Sequence, residues 1–440
     1  MGSAAATLAS FTGASMPVLT IYRLLTIGLT PLAGAVLSWR ARQGKEDPAR
    51  LRERMGAPSL ERPAGRLVWL HGASLGESLS LLPLVERFIQ RGVEVLVTSG
   101  TVSSAKVLRA RLPAGASHQF LPLDAPQFVE RFLEHWRPDI VLFAESELWP
   151  NMIRAIHARR LPLILVNATI SRRSAARWRR LPGGARILFG EIDLCLAQNA
   201  ESAARYLGLG APRVRVCGNL KFDVPPPPVG AGKLAEFNGA IGARPVWAAI
   251  STHEGEEEIA IDAHLALAAE VPSLLTIIAP RKPERGAEIA ALARAKGLDV
   301  GLRSRDGEPQ RGVQIYIADT VGELGLFLRA VSVVFTGKSL TAEGGHNPIE
   351  PAKLGCAILH GPHVENFADI YAELAAARAA ARVTDADSLA RALQFLLSDP
   401  SRMRKMGRAG AEVVKKLGGA SQSIMAAIEP YLAQSALEQR

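Results

Sequence analysis

The amino-acid sequence predicts an α/β protein that consists of two successive domains, each with a parallel sheet covered by helices on both faces. From residue 66 onward, short runs rich in Val, Leu and Ile alternate with helical stretches, which is typical of parallel strands buried on both faces. Four consecutive prolines at 225–228 interrupt the alternation, because proline continues neither a helix nor a central strand. The alternation restarts at residue 246, which indicates a second domain of similar size.

The predicted elements follow the same order in both halves, each strand being a short apolar run and each helix a longer mixed stretch. In the first half we predict strands at 66–70, 93–98, 140–144, 163–167, 194–197 and 214–216, and helices at 77–91, 103–110 and 151–159. In the second half we predict strands at 246–250, 274–279, 314–318, 331–335 and 357–359, helices at 254–270, 283–295, 349–354 and 367–378, and a mostly helical end from 388. Ligands of open α/β sheets bind at the carboxyl ends of strands, so we expect the site in a cleft between the two domains.

A long apolar stretch precedes the first domain. Residues 16–39 would reach roughly 36 Å as a helix, enough for a hydrocarbon core of about 30 Å. Arg23 is the only charged residue within them. Basic residues follow at once, which favours an uncleaved anchor with the rest of the chain on the cytoplasmic side: Arg40, Arg42, Lys45, Arg50, Arg52 and Arg54. A buried or interfacial helix that never crosses the membrane is the alternative. The predicted domains are therefore a lead and anchor (1–40), a first α/β domain (41–223), a linker (224–232), a second α/β domain (233–415) and a helical tail (416–440).

Composition limits the classes of function. The chain has 440 residues with 52 Lys and Arg against 42 Asp and Glu, a net charge of +10 that favours an acidic partner: nucleic acid, an anionic membrane surface or a phosphorylated substrate. Aromatic residues make up only 5%, which is thin for stacking on bases, so we expect no nucleic acid. The three cysteines, Cys195, Cys217 and Cys356, have neither disulfide nor zinc spacing, and we expect no metal or cofactor.

The end of the first strand carries a candidate general base. Residues 71–78, HGASLGES, place Glu77 at a helix start, where free N–H groups favour an ionised carboxylate that could take a proton from a hydroxyl. The same spacing, Ser74-x-x-Glu77, also matches a capping box, in which Glu77 only satisfies backbone N–H groups. The sequence alone leaves both interpretations open.

Two further segments of the first half carry polar side chains at strand ends. Residues 145–151, ESELWPN, form either an ordinary helix start or a polar wall that orients a sugar. Six arginines lie within fifteen residues: Arg172, Arg173, Arg177, Arg179, Arg180 and Arg186. Such a run is usually a solvated face, yet arginine is also suited to bidentate phosphate recognition, and a membrane anchor on the same domain favours a phosphorylated lipid head group.

The second half has candidate anion sites. Ser251 and Thr252 precede a helix start, which suits an anion, although Ser251-x-x-Glu254 also matches a capping box and the acids at 256–258 would oppose a phosphate unless they point away. The segment 279–285, APRKPER, offers a clamp of two or three cations. At 337–339, Gly-Lys-Ser is similar to the end of a phosphate-binding loop, but the spacing of the full motif fails.

A glycine-rich segment follows that loop. Gly344 and Gly345 let the backbone approach a ligand, Asn347 is predicted as the N-cap of a helix with Pro348 as its first residue, and Glu350 either caps this helix or accepts from ribose hydroxyls.

Taken in order, these motifs resemble those of 3-deoxy-D-manno-oct-2-ulosonic acid (Kdo) transferases. The matching segments are HGASLGE at 71–77, ESELWPN at 145–151, GNLKFD at 218–223, STHEGEE at 251–257, APRKPER at 279–285 and GGHNPIEPA at 344–352. The resemblance runs from the anchor through GPHVENF at 361–367 and towards the C-terminus, so it covers nearly all of the chain. It implies a glycosyltransferase of the GT-B type, with two Rossmann-like domains that face a cleft. It also implies CMP-Kdo as donor and a lipid A precursor as acceptor, at the cytoplasmic face of the cell inner membrane and its anionic surface.

The resemblance also assigns roles to residues. It places the catalytic base at Glu77. We expect donor binding by Ser251, Thr252, Arg281, Lys282, Gly344, Gly345, Asn347 and Glu350, with Lys221 near the hinge, and acceptor binding by Ser74, Glu145, Arg172, Arg173 and Arg177. The family usually carries His where this chain has Lys282. The alternative functions are a sugar-nucleotide epimerase of the same architecture and a glycosyltransferase with another lipid acceptor.

Overall fold

The computed structural model describes residues 16–438. They divide into two compact units. The first comprises the described residues up to Val224 together with those from Gly418 onward, and the second is Pro225–Leu417. The division falls within the segment 224–232, where the sequence predicts the linker. The return of the chain to the first unit at Gly418 has no counterpart in the predicted order of domains and tail.

The first unit is built on a seven-stranded parallel sheet. Its strands are β1 (Leu67–Gly72), β2 (Glu94–Ser99), β3 (Ala116–Phe120), β4 (Ile140–Ala144), β5 (Leu163–Ala168), β6 (Leu194–Ala197) and β7 (Val214–Val216), in the order β3-β2-β1-β4-β5-β6-β7. Leu70 of β1 lies opposite Val97 of β2 and Leu142 of β4. The strand order reverses between β1 and β4, and this is the place where open α/β sheets bind ligands.

Eleven helices precede or connect these strands in the described part of the first unit: α1 (Met16–Leu29), α2 (Ala33–Arg42), α3 (Leu51–Arg54), α4 (Leu75–Ser80), α5 (Leu82–Ile89), α6 (Val102–Arg111), α7 (Pro126–Trp136), α8 (Pro150–Ala158), α9 (Arg172–Arg179), α10 (Pro182–Gly190) and α11 (Ala200–Leu209). A 3-10 turn at Thr30–Leu32 joins α1 to α2. The single helix predicted at 77–91 is wrong, because the chain forms α4 and α5 with a break at Leu81, and Pro83 lies in the first turn of α5.

The second unit repeats the architecture. Its parallel strands are β8 (Val246–Thr252), β9 (Leu275–Pro280), β10 (Val300–Leu302), β11 (Ile315–Ile317), β12 (Val333–Thr336), β13 (Ala357–His360) and β14 (Ala380–Arg382), in the order β10-β11-β9-β8-β12-β13-β14. Its helices are α12 (Ala231–Ile241), α13 (Glu256–Ala268), α14 (Gly286–Ala295), α15 (Arg303–Asp306), α16 (Leu324–Ala330), α17 (Ile349–Lys353), α18 (Ala368–Ala376), α19 (Ala386–Leu397) and α20 (Pro400–Leu417). The strand order reverses between β8 and β12.

The last helix, α21 (Ala420–Glu438), completes the core of the first unit. Its Ile424 and Ile428 are fully buried in one cluster with Leu70, Leu142 and Val166 on one face of the first sheet. The carboxylate of Asp223 accepts from the backbone N–H of Gly419 at 2.7 Å, which fixes the point where the chain re-enters the unit. The two parallel sheets confirm the predicted α/β fold of the GT-B class.

Candidate active site

Glu77 lies at the turn that joins β1 to α4. Ser74 is the N-cap of α4, and its Oγ accepts from the backbone N–H of Glu77 at 3.3 Å. The Glu77 carboxylate in turn accepts from the Ser74 hydroxyl at 2.7 Å and from the Ala73 N–H at 2.9 Å. Gly72 is required here, because a Cβ at this position would lie 2.8 Å from the backbone nitrogen of Ser78. The Ser74 half of the capping box is therefore present, whereas the Glu77 carboxylate bonds the N–H of Ala73 instead of that of Ser74 and stays only half-buried.

The surroundings of Glu77 raise its pKa above the usual glutamate value. Burial is the largest cause, and the negative charges of Glu147 and Glu145 add to it, whereas the hydrogen bonds from Ser74 and Ala73 act in the opposite direction. The net direction is the reverse of what the helix start alone suggests. A raised pKa makes the carboxylate a stronger base than an ordinary glutamate.

Glu145 and Glu147 follow the end of β4, next to β1 in the sheet. Glu145 has a left-handed backbone with a φ of 56°, and its carboxylate forms an ion pair with the Lys221 ammonium at 2.7 Å. Glu147 accepts from the Trp149 indole N–H at 2.8 Å and lies 3.6 Å from Nε2 of His71, a buried residue of β1. We call Glu77, Glu145 and Glu147 the acidic cluster.

The structure thus brings together Ser74, Glu77, Glu145 and Lys221, which the sequence assigned to three different roles. Lys221 was predicted as a donor-binding residue near the hinge, and it lies in the first unit, paired with an expected acceptor-binding residue. Sequence reasoning gave no role to His71, although its position at the end of β1 in the HGASLGE motif was a usable signal.

The predicted acceptor arginines lie apart from these contacts, on helix α9 after β5. Ser171 caps this helix by accepting from the N–H of Ser174 at 3.1 Å. Arg172, Arg173 and Arg177 are exposed, and within residues 16–438 none of them has a carboxylate partner. A solvated face and a phosphate-binding face both remain compatible with this geometry.

In the second unit, the acids that follow β8 turn inward. The fully buried carboxylate of Glu256 accepts from four backbone N–H groups, those of His253 at 2.9 Å, Lys338 at 2.6 Å, Ser339 at 2.8 Å and Leu340 at 2.9 Å. It therefore shapes the loop after β12 and does not face an incoming anion.

The Glu257 carboxylate also has partners within the second unit, because it accepts from the Thr252 hydroxyl at 2.9 Å and from the Arg285 guanidinium at 2.9 Å. The predicted Ser251-x-x-Glu254 capping box is wrong, since the N-cap of α13 is Gly255, with a φ of 88° and no side-chain cap. Arg281 and Lys282 remain exposed, without a carboxylate partner among the residues that the structure describes.

The loop after β12 folds back on itself. Lys338 has a left-handed backbone with a φ of 57°, and its carbonyl accepts from the N–H of Gly345 at 2.8 Å. The N–H of Gly344 donates to Glu365 at 2.9 Å, and a Cβ on Gly344 would lie 2.4 Å from Nδ2 of Asn366 and 3.3 Å from the Lys338 ammonium. Gly344 is therefore needed for close packing around this ammonium, and Lys338 is a cation that sequence reasoning missed.

The helix after this loop starts at Ile349, as the predicted range 349–354 has it, but Pro348 is its N-cap and not its first residue. Asn347 caps from one position earlier, because its Oδ1 accepts from the N–H of Ile349 at 3.0 Å. Asparagine side chains favour this local turn, which explains the shift. Glu350 lies half-buried in the first turn of α17.

Two imidazoles meet beside these cations. Nε2 of His253 lies 3.1 Å from Nε2 of His346. Burial lowers the pKa of His346 to about 4, with further contributions from His253, Arg281 and Lys338, and burial also lowers the pKa of His253. Both rings are therefore neutral near pH 7, and the positive charge of this region comes from Arg281, Lys282 and Lys338, which we call the basic cluster. It suits a phosphate or a carboxylate.

A cavity of about 170 Å³ adjoins the basic cluster at the carboxyl ends of β9 and β11. It is lined by Ser251, Ala279, Arg281, Ala318, Thr320 and Phe327, among others. Ser251 has a left-handed backbone with a φ of 54°. Over residues 16–438, no group of three or more His, Cys, Asp and Glu side chains is arranged to hold a metal ion.

Comparisons with known proteins identify the family. Residues 49–224 match the profile of a family described as 3-Deoxy-D-manno-octulosonic-acid transferase (kdotransferase). The chain is 36% identical over 428 residues to the 3-deoxy-D-manno-octulosonic acid transferase of Bordetella pertussis, covering 94% of this chain and 99% of that protein. It is 34% identical to the enzyme of the same description from Haemophilus influenzae, covering 87% of this chain and 91% of that protein.

Among solved structures, a UDP-GlcNAc 2-epimerase from Neisseria meningitidis covers 84% of this chain and 100% of that chain, with a TM-score of 0.56 and 14% identity, which shows a shared fold alone. Because the likeness to transferases extends over most of the sequence, the chain belongs to the 3-deoxy-D-manno-octulosonic acid (Kdo) transferase family and is a glycosyltransferase.

Proposed function

We propose that this enzyme moves Kdo from CMP-Kdo to a phosphorylated lipid A precursor, lipid IVA, with inversion at the anomeric carbon. The observation that carries the proposal is the half-buried Glu77 carboxylate with its raised pKa, at the point where the order of the first sheet reverses. Glu77 takes the proton of an acceptor glucosamine hydroxyl as the oxygen attacks the anomeric carbon. The bond from that carbon to the phosphate breaks at the same time, and CMP leaves with the bonding electrons.

The basic cluster supports a donor site in the second unit. CMP-Kdo carries a phosphate and a carboxylate, and Arg281, Lys282 and Lys338 supply three cations around neutral imidazoles. The adjoining cavity of about 170 Å³, lined by Ser251, could receive part of the nucleotide. Thr252, Gly344 and Gly345 shape this region through the contacts described above, and Asn347 and Glu350 stand at the following helix start. Lys282 supplies a charge where the family usually has His.

The acceptor site is proposed in the first unit. Ser74 and Glu145 flank Glu77, and the exposed Arg172, Arg173 and Arg177 would bind the phosphates of the acceptor. Protein groups alone supply each of these steps, so the reaction as proposed uses no metal or cofactor.

We also propose attachment to the cytoplasmic face of the inner membrane, where a lipid acceptor is available. The net charge of +10 suits an anionic surface, and Val18–Arg42 is long and apolar enough to cross a bilayer by length and composition.

The first experiment tests Glu77 as the base. Glu77→Gln should lower transfer by at least about 10²-fold, the usual scale for a general base, while the affinity for CMP stays unchanged. Glu134→Gln, on the exposed face of α7, is the matched control and should transfer normally. Undiminished transfer in Glu77→Gln would reject the assignment. Because CMP release that depends on the lipid acceptor is the mark of a transferase, the same assay separates the proposal from a sugar-nucleotide epimerase.

A second experiment tests phosphate recognition by α9. Arg172→Ala combined with Arg173→Ala should weaken transfer to a phosphorylated acceptor more than transfer to the dephosphorylated one, with Lys106→Ala at an exposed position of α6 as the control. Equal losses with both acceptors would argue against phosphate binding by these arginines.

A further inference from the structure

Helices α1 and α2 form a rod that lies along the first unit. One stripe of side chains, spaced three and four residues apart through both helices and the 3-10 turn between them, is buried or half-buried: Leu19, Tyr22, Thr26, Thr30, Ala33 and Leu37. Such spacing marks a single helix face. α1 contacts α7 and α10, and Ala33 packs in a small cluster with Ala125 and Phe128. The rod is therefore docked along much of its length.

Polar contacts fasten the middle of the rod. The Tyr22 hydroxyl donates to Oδ2 of Asp124 at 2.9 Å, and the Asn151 amide donates to Oγ1 of Thr26 at 3.0 Å. Asp124 precedes α7 and is buried, and its carboxylate also accepts from the backbone N–H of Met152 at 2.9 Å in the first turn of α8. Separating the rod from the unit would break both hydrogen bonds, so the buried Asp124 and Asn151 would each lose a partner, which is costly.

Ion pairs hold the C-terminal end of the rod against the first unit. The carboxylate of Glu46 is buried just beyond α2 and pairs with Arg40 at 2.9 Å and with Arg54 at 3.2 Å. The contacts of the rod with the first unit thus extend from Leu19 to the residues that follow α2.

The opposite face of the rod is apolar and exposed. Leu24 is 62% exposed and Leu25 is 60% exposed, and other large apolar side chains continue this face: Val18, Ile21, Ile27, Leu29, Leu32, Val36 and Trp39. A continuous exposed apolar face of this size marks an interaction site. The apolar face calls for an apolar partner, and the exposed arginines on and near the rod favour one with an anionic surface. Arg23 and Arg42 are exposed on the rod, and the arginine helix α9 is followed directly by α10, which α1 contacts.

A bilayer with anionic head groups fits both requirements, and the docked stripe decides how the rod meets it. From Leu19 to Leu37 the stripe measures roughly 27 Å, close to the hydrocarbon thickness of about 30 Å. A rod that crossed the bilayer would carry its middle into the hydrocarbon, yet the middle is hydrogen-bonded to Asp124 and Asn151 of the α/β unit. The α/β unit, with its charged surface, cannot enter the hydrocarbon together with the middle of the rod.

We propose that the α1–α2 rod lies in the plane of the membrane surface, with its exposed apolar face in the head-group and acyl boundary, and that it does not span the bilayer. Arg23 then reaches the head groups sideways from the rod. The proposal rests on the membrane attachment proposed above, and its tests involve no transfer step. Their failure would therefore leave the transferase mechanism untouched, just as an inactive Glu77→Gln would say nothing about the rod.

The decisive experiment is protease protection of the full chain, carrying one epitope tag at each terminus, in sealed inner-membrane vesicles with the cytoplasmic side outward. We expect protease to remove both tags without detergent, because a rod in the membrane plane leaves both termini on one side. An N-terminal tag that is protected until detergent is added, while the C-terminal tag is digested, would overturn the proposal. This assay needs no substitution, so it does not depend on the folding of a variant.

A second experiment measures binding to phosphatidylcholine vesicles with and without phosphatidylglycerol. Leu24→Asp combined with Leu25→Asp should lower the partition of the full chain roughly tenfold or more, because both side chains leave the apolar phase. Leu207→Asp is the matched control, since this leucine of α11 is 55% exposed outside the rod. Binding of the unaltered chain should be stronger with phosphatidylglycerol and weaker at high salt. Equal partition of the double variant and the control would refute the assignment of this face.

Discussion

Glu256→Gln tests whether one buried carboxylate holds the loop of the basic cluster. In the structure, each carboxylate oxygen accepts from two backbone N–H groups: Oε1 from Ser339 and Leu340, and Oε2 from His253 and Lys338. Glutamine has the same shape, but its amide nitrogen is a donor and replaces one of the two oxygens. Whichever way the amide turns, two backbone donors then face a donor.

The size of the effect follows from the two lost bonds. A hydrogen bond to a charged group contributes about 1.5–3 kcal/mol, so losing two of them should cost roughly 3–6 kcal/mol locally. Because each 1.4 kcal/mol corresponds to a factor of ten, backbone amide exchange at 338–340 should accelerate roughly 10²–10⁴-fold. Hydrogen exchange followed by mass spectrometry of peptides from this loop is the assay, since it reports on the loop and does not require the two units to unfold together.

Glu258→Gln provides the control, because Glu258 lies on the same helix but is exposed, with its nearest cation, Lys296, at 3.5 Å. It should leave exchange in the loop unchanged. Protection of residues 338–340 that is equal in the two variants would refute the reasoning that Glu256 orders this loop. Weaker CMP binding by Glu256→Gln alone is expected in addition, because the same loop carries Lys338 of the basic cluster.

Three more predictions follow from single contacts. Glu147→Gln should move the acid limb of the pH–kcat/KM profile to lower pH, because the charge of Glu147 helps to raise the pKa of Glu77; a limb that stays or moves upward would contradict this. Gly344→Ala should lower the unfolding temperature and CMP affinity more than Gly355→Ala, since both glycines have positive φ but only the first would place its Cβ against Asn366; equal effects would mean that crowding is unimportant. Burial lowers the pKa of His264 to about 4, so the folded chain resists a proton that the unfolded chain accepts, and stability should fall as the pH drops from about 6.5 towards 4. His264→Gln should remove this part of the pH dependence of the unfolding temperature, and an unchanged dependence would show that the histidine does not contribute.

The sequence predicted the central strands because consecutive Val, Leu and Ile residues are typical of strands that are buried on both faces. It missed β3, whose sequence, ASHQF, carries no such run. This strand lies at the sheet edge and exists through its pairing with β2, while the half-buried His118 contacts Ser99 and Arg50. Pairing and contacts of this kind join distant residues, and a local pattern does not contain them. β10 and β14, each three residues long, were missed for the same reason.

The site was predictable at single positions, but its electrostatics were not. Motif order placed Glu77 in the turn after β1 and Arg281 directly after β9. Burial is the main cause that raises the pKa of Glu77, and the acids that follow β4 add to it. The inward turn of Glu256 depends on N–H groups more than eighty residues further along the chain. Lys221 was assigned to the donor from its position near the linker, whereas its partner, Glu145, directly follows β4 of the first sheet.

Glu77 can be both a capping residue and a general base, provided that its carboxylate can still accept a further hydrogen bond. A carboxylate has about four lone-pair sites, and in this structure two donors, the Ser74 hydroxyl and the Ala73 N–H, are bonded to Glu77. The cap therefore holds the carboxylate in one orientation and leaves acceptor sites for a substrate hydroxyl. Hydrogen bonds of this kind lower a carboxylate pKa, and burial together with Glu147 and Glu145 more than offsets them. The same residue can therefore cap the helix and act as the base, because its orientation and its raised pKa are both set before an acceptor arrives.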